Sequence, residues 1–225
     1  DGTYPRASDG SDDVTLDFGF PPGLVWGKSR DDGTLLHVWV DRLRGNDKQI
    51  SSNLTDAEAT KTSPAYTFEG DTLVVTSNGN LNNNDPYVAW AWKADDNEPT
   101  INTEGSTDSI VSANANAGFS IVKYTGTFAA ATVGHGLSSA PEMVIVKNLD
   151  STTNWWVWHT DLGGGTKYLK LNGTDAVGTV SSIWNSTVPT STVFSVANDS
   201  GSNGSGNEII AFCFHSVSGF SDIGS

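Results

Sequence analysis

Apolar and β-branched residues along this chain gather in short runs, and Gly, Asn, Asp and Ser separate the runs. Runs of that length bounded by turn formers belong to extended chain. The clearest runs are Phe119 to Tyr124, Met143 to Lys147, Trp155 to His159, Lys167 to Leu171, Thr192 to Val196 and Glu208 to His215. Leu24 to Lys28, Thr72 to Val75 and Tyr87 to Trp92 read the same way. No stretch keeps the helical period, and the alanines between Ala113 and Ala117 are too few and too interrupted by Asn to nucleate a helix. The pattern predicts an all-β protein with very little helix. Alternation in Tyr87 to Trp92 places Trp90 and Trp92 on one face, as it does Phe212 and Phe214, and that face is expected to be the inner one.

The runs also repeat. Leu24-Val25-Trp26-Gly27-Lys28 followed by Asp31 matches Met143-Val144-Ile145-Val146-Lys147 followed by Asp150. At the same offset Lys48 falls on Lys167, and Asn53-Leu54-Thr55-Asp56-Ala57 falls on Asn172-Gly173-Thr174-Asp175-Ala176. After a small slip, Tyr87-Val88-Ala89-Trp90-Ala91-Trp92 matches Ile209-Ile210-Ala211-Phe212-Cys213-Phe214. A repeat settles the domain count before any element is assigned. The expected fold is therefore two tandem antiparallel β-sandwich domains of jelly-roll type. The first spans 1–94 and the second 118–225, with 95–117 between them as part linker and part edge strand. Gly219-Phe220-Ser221 echoes Gly118-Phe119-Ser120, as if a further copy were starting, so the chain reads as a piece of a longer repeat protein.

Composition narrows the function classes. Eight Trp, nine Phe and five Tyr must fill much of each core, because the chain is otherwise rich in turn formers. A net charge of −14, with twelve Lys plus Arg, would repel phosphate backbones and anionic lipid, so nucleic acid is not an expected partner. No apolar run is long enough to span a bilayer, so no membrane insertion is expected. Cys213 is the one cysteine, which excludes an internal disulfide and reads as a small buried hydrophobe.

Catalytic patterns are sparse. His37, His135, His159 and His215 are far apart in sequence and in no zinc-ligand spacing. Glu69 and Asp71 have the spacing of a carboxylate pair on one strand, as a glycanase would need, but Gly70 between them reads equally as a turn. No catalytic residue and no cofactor is expected. Calcium is the exception to weigh, because Asn and Asp oxygens in tight loops are ligands for a hard cation. Asn82, Asn84 and Asp85 in the first copy and Asp199 and Asn203 in the second lie in equivalent loops, whose composition also suits left-handed turns. Trp155 and Trp156 must point to opposite faces of a strand, so one of them is expected outward or at an interface. With Trp158 and Trp39 they are the candidate binding residues, for protein contact or for stacking on sugar.

Ala117-Gly118-Phe119-Ser120-Ile121-Val122-Lys123-Tyr124-Thr125-Gly126, Gly134-His135-Gly136-Leu137 and Ala140-Pro141-Glu142-Met143-Val144-Ile145-Val146-Lys147 resemble a repeat domain of unknown function from marine phage and metagenomic tail-fibre-like proteins. Asn154-Trp155, Thr166-Lys167-Tyr168-Leu169 and Pro189-Thr190-Ser191-Thr192-Val193-Phe194-Ser195 continue the resemblance through the second copy. In the first copy Val25-Trp26, Asp41-Arg42-Leu43-Arg44-Gly45 and Thr55-Asp56-Ala57-Glu58-Ala59-Thr60 carry it. It implies a concanavalin-like or jelly-roll sandwich in a virion or extracellular setting, without catalytic residues. Its function would be that of a structural or adhesive fibre subunit that associates with itself or other fibre subunits. A carbohydrate-binding adhesin touching cell-surface glycan is the alternative, and a polysaccharide hydrolase the remote one.

Overall fold

Antiparallel strands account for nearly all the regular structure in the computed structural model, which describes residues 2–4, 13–61, 65–76, 80–82 and 85–224. The chain divides into two compact units: Asp1–Leu54 with Glu58–Asp96, and Asn97–Ser225 with Thr55–Ala57.

In the first unit a six-stranded sheet runs in the order β1 (Gly2–Tyr4), β9 (Tyr87–Trp92), β3 (Leu24–Ser29), β4 (Val38–Asp41), β5 (Lys48–Ser51) and β6 (Ala59–Thr60). A three-stranded sheet orders β2 (Val14–Asp17), β8 (Thr72–Val75) and β7 (Tyr66–Glu69). Val25, Val38, Val40, Tyr87 and Ala89 from the large sheet share one core with Leu16, Tyr66, Leu73 and Val75 from the small one. Two facing layers around a common core are how half-apolar sheets bury their inner faces.

The second unit repeats the plan. Its large sheet orders β10 (Thr100–Asn102), β11 (Ser109–Asn114), β12 (Phe119–Thr125), β19 (Glu208–Phe214), β14 (Met143–Asn148), β15 (Trp156–His159), β16 (Lys167–Lys170) and β17 (Gly178–Thr179). The run from β12 to β17 has the connectivity of β1 to β6 in the first unit, and β13 (Ala131–Gly134) pairs with β18 (Val193–Val196) as β2 pairs with β8. Val122, Val144, Val146, Ile209, Ala211 and Cys213 meet Ala131, Val133, Phe194 and Val196 in the core.

Side chains repeat with the strands. Lys48 Nζ donates to Thr60 Oγ1 at 2.7 Å, and Lys167 Nζ donates to Thr179 Oγ1 at 2.9 Å. Asn53 Oδ1 accepts the His37 amide at 2.9 Å, and Asn172 Oδ1 accepts the Trp155 amide at 2.8 Å.

Residues 95–117, expected as part linker and part edge strand, hold β10 and β11, which extend the second large sheet by two strands beyond the shared plan. One expectation changes, because the inner face of β9 is not the one carrying Trp90 and Trp92: Tyr87 and Ala89 lie in the hydrophobic core with Ala91 packed beside them, and Trp90 is 37% exposed. Space explains the choice, because Leu81 presses against the strand next door so closely that a Cβ on Gly27 would lie 2.5 Å from its Cδ2. Small residues at 89 and 91 fit there and indoles do not. In the second unit Ile209, Ala211 and Cys213 take the same inward positions, while Phe212 and Phe214 are buried on the opposite face.

Among the described residues helix is confined to short turns, a 3-10 turn over Thr160–Leu162 and α1 (Ser200–Asn203).

Candidate interaction surfaces

The open end of the second large sheet is β10, and its exposed face is apolar. Cross-strand register places Ile101 opposite Ile110 and Ile110 opposite Lys123. Ile101 is 73% exposed and Ile110 is 39% exposed. Together with Tyr124, Asp108 and the ion pair between Lys123 Nζ and Glu208 Oε2 (2.6 Å), they line an open groove of about 240 Å³.

The edge is held firmly. In the β10–β11 turn the Thr107 amide donates to Thr132 O at 3.1 Å, and Ser109 Oγ donates to Gly134 O at 2.8 Å. Gly105 approaches so near that a Cβ would lie 2.3 Å from Thr132 O, which is why the turn needs glycine. An edge strand is a template for another strand.

A second surface is the aromatic row on the first unit. Trp26 sits opposite both Trp39 and Trp90 in register, with ring centroids 5.5 and 4.8 Å away. Trp92 stacks on Trp39 at 6.4 Å, and His37 lies 6.4 Å from Trp26. Partial burial, then the charge of Lys28, lowers the His37 pKa. Trp39, a candidate from sequence, is the buried end of the row; Trp90, which sequence reasoning placed inside, is the exposed end.

The tryptophans of the second copy are committed to the fold. Trp155 is fully buried. Trp158 is buried and donates its indole N–H to Gly164 O at 3.2 Å. Trp156 is half-buried, packs against the core, meets Tyr168 edge-on at 5.0 Å and donates to Asp199 Oδ1 at 2.8 Å.

The loop residues weighed as calcium ligands have other roles. Asp199 Oδ1 accepts the Gly201 and Ser202 amides at 2.8 and 2.9 Å in addition to the Trp156 indole, capping α1. Buried Asn203 accepts the Thr127 amide at 2.8 Å and donates to Ala129 O at 2.7 Å and Ala197 O at 2.8 Å. It thereby holds the exposed loop in which Phe128 takes a left-handed φ of 54°. In the first copy Asn82 is buried and donates to Val75 O at 3.3 Å, and Asp85 Oδ2 accepts from Ser29 Oγ at 3.0 Å. Asn84 lies outside the described residues. Among the described residues no group of three or more His, Cys, Asp or Glu side chains could hold a metal ion. Glu69 and Asp71 lie exposed at the tip of the β7–β8 hairpin on either side of Gly70.

Two lysines that the repeat aligns were given no role in the sequence reading. Lys147 is fully buried, and its Nζ donates to Thr55 O at 3.0 Å, Ser151 O at 3.2 Å and Thr153 O at 3.0 Å. Burial pulls its pKa down to about 8, partly opposed by the charge of Asp56. Lys28 Nζ donates to Ser29 O at 2.9 Å and Asp32 O at 2.6 Å. Burial also raises the Cys213 thiol to about 12, which makes it unreactive.

A family model described as a domain of unknown function (DUF7483) matches residues 3–225. The chain belongs to this family. One DUF7483 domain therefore spans both copies of the internal repeat. No curated protein and no solved structure matches the chain.

Proposed function

We propose that this DUF7483 chain is a non-enzymatic structural and adhesive module, built as two tandem jelly-roll-like sandwiches, that serves in a phage tail fibre or an extracellular filament by associating with copies of itself. The observation that carries the reading is the open edge at β10, where a rigid strand presents Ile101 beside Ile110 over an apolar groove. Soluble proteins commonly blunt such an edge with a charge or a proline facing solvent. Here Thr100, Ile101 and Asn102 carry neither. The sequence resemblance to tail-fibre-like proteins supports the same setting.

Light scattering across a concentration series tests it: mass should rise with concentration, and Ile101→Lys should lower the association while leaving the fold intact. A variant that associates as well as the parent would remove β10 from the account.

Contact with cell-surface glycan is a second reading, favoured by the exposure of Trp90 beside Trp26. A change in tryptophan emission on adding a neutral polysaccharide, abolished by Trp90→Ala, is the expected result. Emission indifferent to every polysaccharide tried would dismiss it.

A further inference from the structure

Lys28 and Lys147 occupy the same position in the two copies of the repeat, near the ends of β3 and β14. Both ammonium groups turn back onto carbonyls of the turn that follows their strand. A lysine has three N–H donors. Lys147 has a carbonyl for each, and the third is Thr55, ninety-two positions away in sequence. Thr55 O also accepts the Thr153 amide at 2.9 Å, so this segment is fastened at two points. Lys28 has two carbonyls, Ser29 and Asp32, and no third acceptor among the described residues.

The loop that supplies Thr55 also has a counterpart. Asn53 and Asn172 make the same amide bond at the start of their loops, and Thr, Asp and Ala follow in both copies. The departure is Gly173 in place of Leu54. Thr174, Asp175, Ala176 and Val177 are all exposed. The chain thus carries a partly exposed lysine whose described acceptors are two carbonyls and, elsewhere, an exposed loop of the kind that completes the cage of Lys147.

We propose that the loop 172–176 of one copy of this chain docks on the Lys28 turn of a second copy, with Lys28 donating to a backbone carbonyl of that loop as Lys147 does to Thr55. The two surfaces differ, so the contact is heterologous, and unless the rotation closes a ring it propagates into a filament. This rests on the self-association reading and adds to the β10 edge a specific second contact. Asp175 brings a negative charge toward Lys28, as Asp56 does toward Lys147, although Lys170 already holds Asp175 at 2.9 Å.

Two measurements on the full chain test this. Light scattering should show Lys28→Met weakening association about tenfold, the loss of one hydrogen bond to a charged donor. Chains bearing Asp31→Cys mixed with chains bearing Thr174→Cys should give a disulfide-linked heterodimer under mild oxidation; the native Cys213 is buried and does not compete. Association without that cross-link, unchanged by Lys28→Met, would overturn the loop-to-lysine contact and leave self-association standing. Absence of association at every concentration would overturn both.

Discussion

Lys147 shows how a single buried charge leaves a pH signature. Burial lowers its pKa from 10.5 to about 8 in the folded chain. Between those two values the unfolded chain holds a proton that the folded chain has released, so folding stability rises with pH across that window. Above 10.5 both states are neutral at this site and the gain levels off. Lys147→Met should remove this rise, which denaturant titrations at a series of alkaline pH values would measure. At neutral pH the same substitution leaves the carbonyls of Ser151 and Thr153 without their donor. A loss of about 1–3 kcal/mol is expected there. A variant whose stability runs parallel to that of the parent from neutral pH to beyond 10 would show that Lys147 is not titrating in the folded protein.

At the level of the strand, the question is which face of a two-faced pattern turns inward. β9 is an unbroken apolar run in the sequence, which cannot say which of its two sets of alternate residues faces the core between the sheets. Trp90 and Trp92 are the larger apolar pair, which is why hydrophobicity alone assigns them to the core. The structure gives that place to Tyr87 and Ala89, because Leu81 packed over Gly27 leaves no room for an indole. Tyr87→Ala should therefore cost about 3–5 kcal/mol as a buried aromatic is lost. Trp90→Ala should stay within about 1 kcal/mol, as a largely surface change does. Equal losses in a chemical denaturation series would return the tryptophan face to the interior. The strands themselves, and the repeat that orders them, were legible because period and repetition are properties of the sequence. The cage around Lys147 was not: Thr55 lies far from it along the chain, and backbone carbonyls leave no trace in side-chain identity. Asp199 and Asn203 stood out in the sequence only by composition; the loop amides that their oxygens accept could not be read from it.

For the whole molecule, the duplication explains the strand order that the two units share. A net charge of −14 sets copies against one another, so association should strengthen as salt screens the repulsion over a Debye length of about 8 Å at physiological strength. The open β10 edge supplies apolar area and unpaired backbone to offset what repulsion remains. Sedimentation velocity over a wide concentration range in physiological salt is the most direct measurement of this balance. A boundary that moves faster as concentration rises, and faster again with added salt, is the predicted result. A single slow boundary at the monomer mass under every condition would contradict it.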